Sequence, residues 1–321
     1  MIGARTMPND QGWNKTNVTV TLTATDNAGG SGVQSITYTL TGAQTAGATV
    51  TGSATSIPIT AEGTTTVTYS ARDVAGNVES DKTIVILLDK TAPTVTPVPN
   101  QTLEATSPSG AVATYTPMAT DATSGVASLT SNPASGSTFP IGTTTVTATA
   151  TDTAGNSGTA TFTVTGRDTT PPALTVPGPI TKEATASLTP VALGAATATD
   201  LVDGSVAVSN NAPAAGFAVG TTIVTWTATD SRGNTATGTQ SVTVKDTTAP
   251  AIGSVSDVTV GATSPSGAIV SFARPTATDL VDPAPAVTTN PASGSLFPVG
   301  STTVSVTATD ASGNQATKSF T

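Results

Sequence analysis

Short stretches of strictly alternating apolar and polar residues punctuate the chain. "TTTVTATATD", Thr143 to Asp152, sets Val146, Ala148 and Ala150 on one face and threonines on the other. That period of two is the mark of a strand buried on one side. Two equivalent runs carry Val224, Trp226 and Ala228, then Val304, Val306 and Ala308. Clusters of Gly, Pro, Asn and Asp separate the runs at the spacing of a small sandwich. No segment of helical length shows a 3.6-residue period, so the pattern predicts essentially no α-helix.

The alternating runs recur at a fixed interval, and such a repeat governs how everything else is read. An Asp-x-x-Gly-Asn pattern begins at Asp73, Asp152, Asp230 and Asp310, with spacings of 79, 78 and 80. The linkers "DKTAP" at Asp89, "DTTPP" at Asp168 and "DTTAP" at Asp246 are spaced 79 and 78. "FPIG" at Phe139, "FAVG" at Phe217 and "FPVG" at Phe297 keep the same period. Four tandem units follow, at 1–89, 90–168, 169–246 and 247–321. Each has the size of an immunoglobulin-like β-sandwich, so the expected fold is all-β: four such domains in an elongated array.

Two segments carry a family resemblance. "NPASGSTFPIGTTTVTATATDTAGNSGTATFTV" (Asn132 to Val164) and "NPASGSLFPVGSTTVSVTATDASGNQATKSF" (Asn290 to Phe320) resemble HYR (hyalin repeat) domains, immunoglobulin-like modules of extracellular proteins. The resemblance covers units 2 to 4. Unit 1, with "GWNKTNVTVTLTATDNAGGSGV", is more similar to a bacterial Ig-like or fibronectin-III-like module. Animal HYR repeats often carry a cystine where this chain aligns Ser131 with Ala148, Asn211 with Trp226 and Thr289 with Val306, so these cores rest on packing alone. The resemblance implies adhesion, or an accessory region of a secreted protein, by analogy only.

Composition narrows the chemistry. With no Cys and no His there is no thiol or imidazole nucleophile, no disulfide and none of the usual zinc ligand sets, and the chain is not expected to be an enzyme. Formal net charge is −9, and no Lys/Arg cluster offers a face to nucleic acid. Of 20 acids, 16 are Asp and four are Glu (Glu62, Glu79, Glu104, Glu183), a bias toward turns rather than helices. "IVILL" at Ile84 to Leu88 is too short to span a bilayer, and "MIGARTMPND" is not built like a signal peptide. The last strand reads as incomplete at Thr321. The chain is therefore expected to be a segment of a longer protein, or a subunit whose last strand another chain completes.

Strand parity gathers the aspartates. In a Greek-key sandwich the entry linker and the B–C and F–G loops lie at one end. The linker Asp, the Asp ending the "MATD" or "TATD" run, and the Asp of Asp-x-x-Gly-Asn should then converge. The expected groups are Asp89, Asp121 and Asp152; Asp168, Asp200 and Asp230; and Asp246, Asp279 and Asp310. Asp203 and Asp282 could join them, and unit 1 has the loop pair Asp26 and Asp73. Carboxylates so placed repel unless compensated, and Ca²⁺, a hard cation that takes six to eight oxygens, is the natural candidate ligand. The competing reading is that each Asp only caps its own turn while Gly-Asn supplies the positive φ. Trp226 lies in the core alternation, and Trp13 is read as a lid before the first strand.

The functional expectation is a stalk, spacer or adhesion segment of a secreted or cell-surface protein, stiffened by calcium and by the linker prolines Pro93, Pro171, Pro172 and Pro250. Two alternatives stand beside it: carbohydrate- or protein-binding modules of a larger secreted enzyme, or the subunit of a filament assembled by strand addition. The partners would be neighbouring domains, other copies of the chain, or surface glycans and proteins.

Overall fold

A computed structural model describes residues 6–321. The chain divides into two compact units, residues up to 168 and residues 169–321, each holding two β-sandwich modules. Among the described residues there is no α-helix.

In the first module a five-stranded sheet runs in the order Trp13–Asn14, Lys82–Leu88, Gly63–Asp73, Val33–Gly42, Ala46–Thr51. It faces the pair Val18–Thr23 and Ala54–Ile59. Alternation decides the packing: in "VTVTLT" Val18, Val20 and Leu22 are buried, and they meet Ile36, Ile57, Ile59, Val67 and Ile86 in one core. Trp13 does not precede the first strand as a lid; it belongs to a two-residue strand of its own, parallel to Leu87–Leu88.

The second module repeats the plan. Val126–Asn132, Gly142–Asp152 and Ser157–Arg167 form an antiparallel sheet, with Gln101–Glu104 added parallel to the end of Ser157–Arg167. Thr94–Thr96 pairs with Met118–Thr120, and Ala111–Val112 with Thr138–Phe139. Val146, Ala148 and Ala150 all face inward, buried. Ser131 stands opposite Ala148, as the sequence alignment expects.

In the second unit, the third module pairs Val208–Asn210, Gly220–Thr229, Thr235–Lys245 and Ile180–Glu183 in one sheet, and the fourth pairs Ala286–Asn290, Val304–Thr309 and Gln315–Phe320. Thr289 faces Val306, but in the third module it is Asn210, not Asn211, that faces Trp226. Asn211 is displaced to the strand end, where its Oδ1 accepts the Thr225 N–H at 2.7 Å.

The repeats differ in how they fill the middle of the core. Phe162 and Phe320 pack edge-on against Tyr115 and Phe272, with ring centroids 4.9 and 5.0 Å apart. By register the third module puts Gln240 at this position. Its amide is 2% exposed and fully engaged, accepting from Trp226 Nε1 at 3.2 Å and donating to the carbonyls of Gly178 and Leu193 at 2.8 and 2.9 Å. A buried amide is tolerated when its partners are present.

The turn "SPSG", Ser107 to Gly110, recurs as Ser264 to Gly267 and requires glycine twice over. Gly110 has φ +104°, and a β-carbon there would lie 1.8 Å from the Phe139 carbonyl oxygen. Gly142 has a similar φ of +110° with open space around it. Gly142→Ala is therefore expected to cost about 1 kcal/mol, from backbone conformation alone. Gly110→Ala should cost at least about 1 kcal/mol more, because the backbone must also move. Urea unfolding of the two variants against the parent chain measures the difference.

Candidate metal centre

Each acidic group is built from a linker, a B–C loop and an F–G loop. At the first linker Asp89 follows directly on the strand Lys82–Leu88 and is 0% exposed. Its Oδ1 accepts the Thr91 N–H at 3.0 Å, which orders the linker. Its Oδ2 accepts the Ser124 N–H of the next module at 3.1 Å. Asp121 follows directly on the short strand Met118–Thr120, and its Oδ1 takes the N–H groups of Thr123, Ser124 and Gly125 at 3.1, 2.9 and 2.8 Å. Asp152 ends Gly142–Asp152 and accepts from Asn156 twice, at the backbone N–H and at the side-chain amide, each at 2.8 Å.

These local bonds bring Asp89, Asp121 and Asp152 together, each with a carboxylate oxygen within 4.8 Å of the others. Three charges at that range repel by an amount on the order of 3 kcal/mol per pair at an effective dielectric constant of about 20. Among the described residues no Lys or Arg forms an ion pair with them; the one ion pair is Lys82 with Glu79, elsewhere in the first unit.

In the second unit Asp246, Asp279 and Asp310 repeat the group, again within 4.8 Å. Asp246 accepts the Thr248 N–H at 3.2 Å and the Ser312 hydroxyl at 2.9 Å. Asp279 takes the Val281 and Asp282 N–H groups at 2.8 and 2.9 Å. The N–H groups of Asp282 and Val281, aimed at its carboxylate, hold it below the usual range against a smaller opposing effect of burial. Asp310 is capped by Asn314.

Of the remaining expected residues, Asp168 closes the first unit, while Asp200 and Asp230 lie in the second. Asp203, not Asp200, reaches the loop of Asp230, accepting the Ser231 N–H at 2.7 Å and its hydroxyl at 2.8 Å. Asp200 spends its Oδ1 on the N–H groups of Val202 and Asp203. Burial pushes the Asp230 carboxyl up, but the Asn234 amide together with the Asn234, Arg232 and Gly233 N–H groups outweighs it and leaves the group below its ordinary value. Asp26 and Asp73 share a cleft with Arg72 and Lys82, so that end of the first module mixes both signs of charge.

Two kinds of residue complete the linkers in roles that the sequence pattern did not assign to them. The Asn of Gly-Asn does more than supply a turn: Asn156 Nδ2 also donates to the Asp89 carbonyl at 3.0 Å, and Asn314 Nδ2 to the Asp246 carbonyl at 3.1 Å. Each ties an F–G loop to the linker entering its module. Glutamates clamp the linkers from the preceding module. Glu62 accepts the Lys90 N–H and the Thr91 hydroxyl at 3.0 and 2.9 Å; Glu183 accepts the Thr247 N–H at 2.7 Å and the hydroxyls of Thr247 and Thr248 at 3.0 and 3.3 Å. The signal was present in the sequence as scarcity, since two of only four glutamates serve this purpose.

All donors in these groups are oxygens, and two carboxylates of the first group are buried. A carboxylate has about four lone-pair positions, so capping a loop leaves room for a cation. The donor chemistry suits a hard ion such as Ca²⁺ rather than a nitrogen- or sulfur-seeking metal.

Fold and site together define a tandem β-sandwich protein with acidic groups where successive modules join. The chain belongs to the HYR domain family, whose model matches residues 88–166, 167–244 and 245–321. It is 39% identical to hyalin of Strongylocentrotus purpuratus over 271 residues, 79% of this chain and 22% of that protein. It is 39% identical to hyalin of Lytechinus variegatus over 277 residues, 81% of this chain and 52% of that protein. The chain thus spans about a fifth to a half of the length of these curated relatives. Among solved structures it is similar to a Ca²⁺-stabilized adhesin that helps an Antarctic bacterium reach out and bind ice (18% identity, 99% of this chain and 96% of that one, TM-score 0.34). It is also similar to the human desmocollin-1 ectodomain (14% identity, 99% and 77%, TM-score 0.33).

Two outcomes follow from the linker chemistry. Asn156→Ala removes three donor contacts to Asp152, Asp89 and Thr91, the last long at 3.4 Å, and is expected to destabilise the second module by about 1–2 kcal/mol in denaturant unfolding. The Thr247 N–H, followed by the threonine hydroxyls, holds the Glu183 carboxyl below its usual value of 4.5, against a smaller opposing effect of burial. A carboxyl depressed in the folded state adds stability above the unfolded value and loses it as the pH falls through the folded one. The Glu183 contribution is therefore complete above about pH 4.5 and fades below it, and Glu183→Gln should flatten that part of a pH-stability profile.

Proposed function

We propose that the chain is a spacer or adhesion segment of a secreted or cell-surface protein, and that Ca²⁺ bound by Asp89, Asp121 and Asp152, and by Asp246, Asp279 and Asp310, stiffens the linkers inside each unit. The observation that carries this reading is the composition of each group. One acid comes from the linker and two from loops of the module that follows, and among the described residues neither group is ion-paired to a base. A cation held there would cross-link the linker to both loops and restrict the hinge. Membership of the HYR family and the likeness to hyalin support a place outside the cell. The reading assigns no catalytic step to the chain.

Modules that bind sugar would need an aromatic platform, and the placement of the aromatics speaks against one. Of the 11 aromatic side chains none is exposed; Trp226 is buried against Gln240, and Trp13 is half-buried beside the last strand of its module.

Asp121→Asn tests the metal directly, because the amide keeps an oxygen for the loop N–H groups while the charge is removed. Calcium at a hundredfold excess over its dissociation constant should raise the stability of the parent chain by about 2.7 kcal/mol per site. The variant should lose most of the rise at the first linker while its calcium-free melting temperature stays close to that of the parent chain. Equal melting curves for the parent chain with and without calcium would leave only the turn-capping role.

A further inference from the structure

The linkers inside the two units differ three residues into the B–C loop. Ser124 and Asp282 hold the same place there and do the same work. Ser124 Oγ accepts the Ala154 N–H at 3.3 Å and Asp282 Oδ2 accepts the Ala311 N–H at 2.9 Å, so each ties its B–C loop to the F–G loop beside it. Each also donates its own N–H to the acid that opens the loop, Ser124 to Asp121 Oδ1 and Asp282 to Asp279 Oδ1, both at 2.9 Å. Asp282 brings a charge to this place and Ser124 brings none. The first linker has a neutral oxygen instead. Asn14, whose carbonyl accepts the Asp89 N–H at 2.9 Å, is 4% exposed, and its Oδ1 has no hydrogen-bond partner.

The other charges around the two linkers match. Glu62 clamps the first and Glu183 the second. By sequence and register two lysines flank each, Lys15 and Lys90 at the first, Lys182 and Lys245 at the second. Asp282 therefore leaves the second linker one negative charge richer. Its B–C loop is also better anchored. Val281 is partly buried and packs against the core of the preceding module, which holds Phe217, Val224 and Trp226. Thr123 stands at that place in the first unit, and among the described residues the core of the first module takes in no residue of the second.

We propose that Asp282 makes the second linker the tighter calcium site, so that the second unit stiffens at calcium concentrations that leave the first linker unloaded. The proposal rests on the calcium reading of the two acidic groups. The affinity of an oxygen site for Ca²⁺ follows the number of charges and the rigidity of the loops that bear them. Asp282 raises the first and Val281 the second, whereas the amide oxygen of Asn14 adds no charge. A unit negative charge close to a divalent ion in a solvent-accessible loop is worth about a factor of ten in affinity. The two units then respond in turn as calcium rises.

Hydrogen exchange of the full chain across a calcium titration at constant ionic strength reads the two linkers separately. Protection at 246–248, 279–282 and 310–314 is expected to reach its midpoint at about tenfold less calcium than protection at 89–91, 121–125 and 152–156. Asp282→Asn keeps an oxygen for the Ala311 N–H while removing the charge, and should raise the second midpoint about tenfold without moving the first. Ser124→Asp, in the other unit, should lower the first midpoint by a similar factor. Coincident midpoints, loading of the first linker before the second, or midpoints unmoved in both variants would overturn the proposal and leave the calcium reading standing. Calcium-dependent protection at neither linker would overturn that reading and this proposal with it.

Discussion

A buried carboxylate at the end of a strand must find hydrogen-bond donors or lose its charge, and the way Asp89 and Asp246 meet that demand organises the modules around them. Asp89 is fully buried, and its two oxygens divide between its own linker and the B–C loop of the next module. Asp246 divides its oxygens between its linker and the F–G loop. Each linker therefore leaves its module in one direction. Because partners for a buried charge are obligatory, that direction is set before any cation is considered.

The same demand explains why the loops look as they do. An F–G loop that only had to turn could end in many residues after its glycine. Asn156 and Asn314 are needed because their amides satisfy a loop carboxylate and a linker carbonyl together. Glu62 and Glu183 reach the linkers from the other side, so each is held by the module it leaves and the module it enters. Protein–protein hydrogen bonds thus preorganise the oxygens, and a cation joining them would gain from an arrangement already formed.

The modules pursue one architecture with different fillings. Two of them close the core with edge-on aromatic pairs; the third replaces the aromatic with Gln240 and compensates with the large ring of Trp226. Such exchanges preserve volume while altering chemistry, and they show that the period of two, rather than any single side chain, carries the fold.

Period, strand parity and apolar alternation are properties of local order. From them the sequence by itself determined the all-β class, the tandem modules, and the buried face of Val146, Ala148 and Ala150 with its equivalents. Parity also pointed to aspartates gathering at linkers, because loops joining successive antiparallel strands must share an end. Tertiary structure decided which oxygens face which donors. It chose Asp203 over Asp200 to reach the loop of Asp230, shifted the partner of Trp226 to Asn210, and buried a glutamine that reads as polar surface in "GTQSV". Those outcomes depend on loop conformation and on packing across the sandwich, where single-residue offsets decide contacts that a repeat of about 79 residues leaves unspecified.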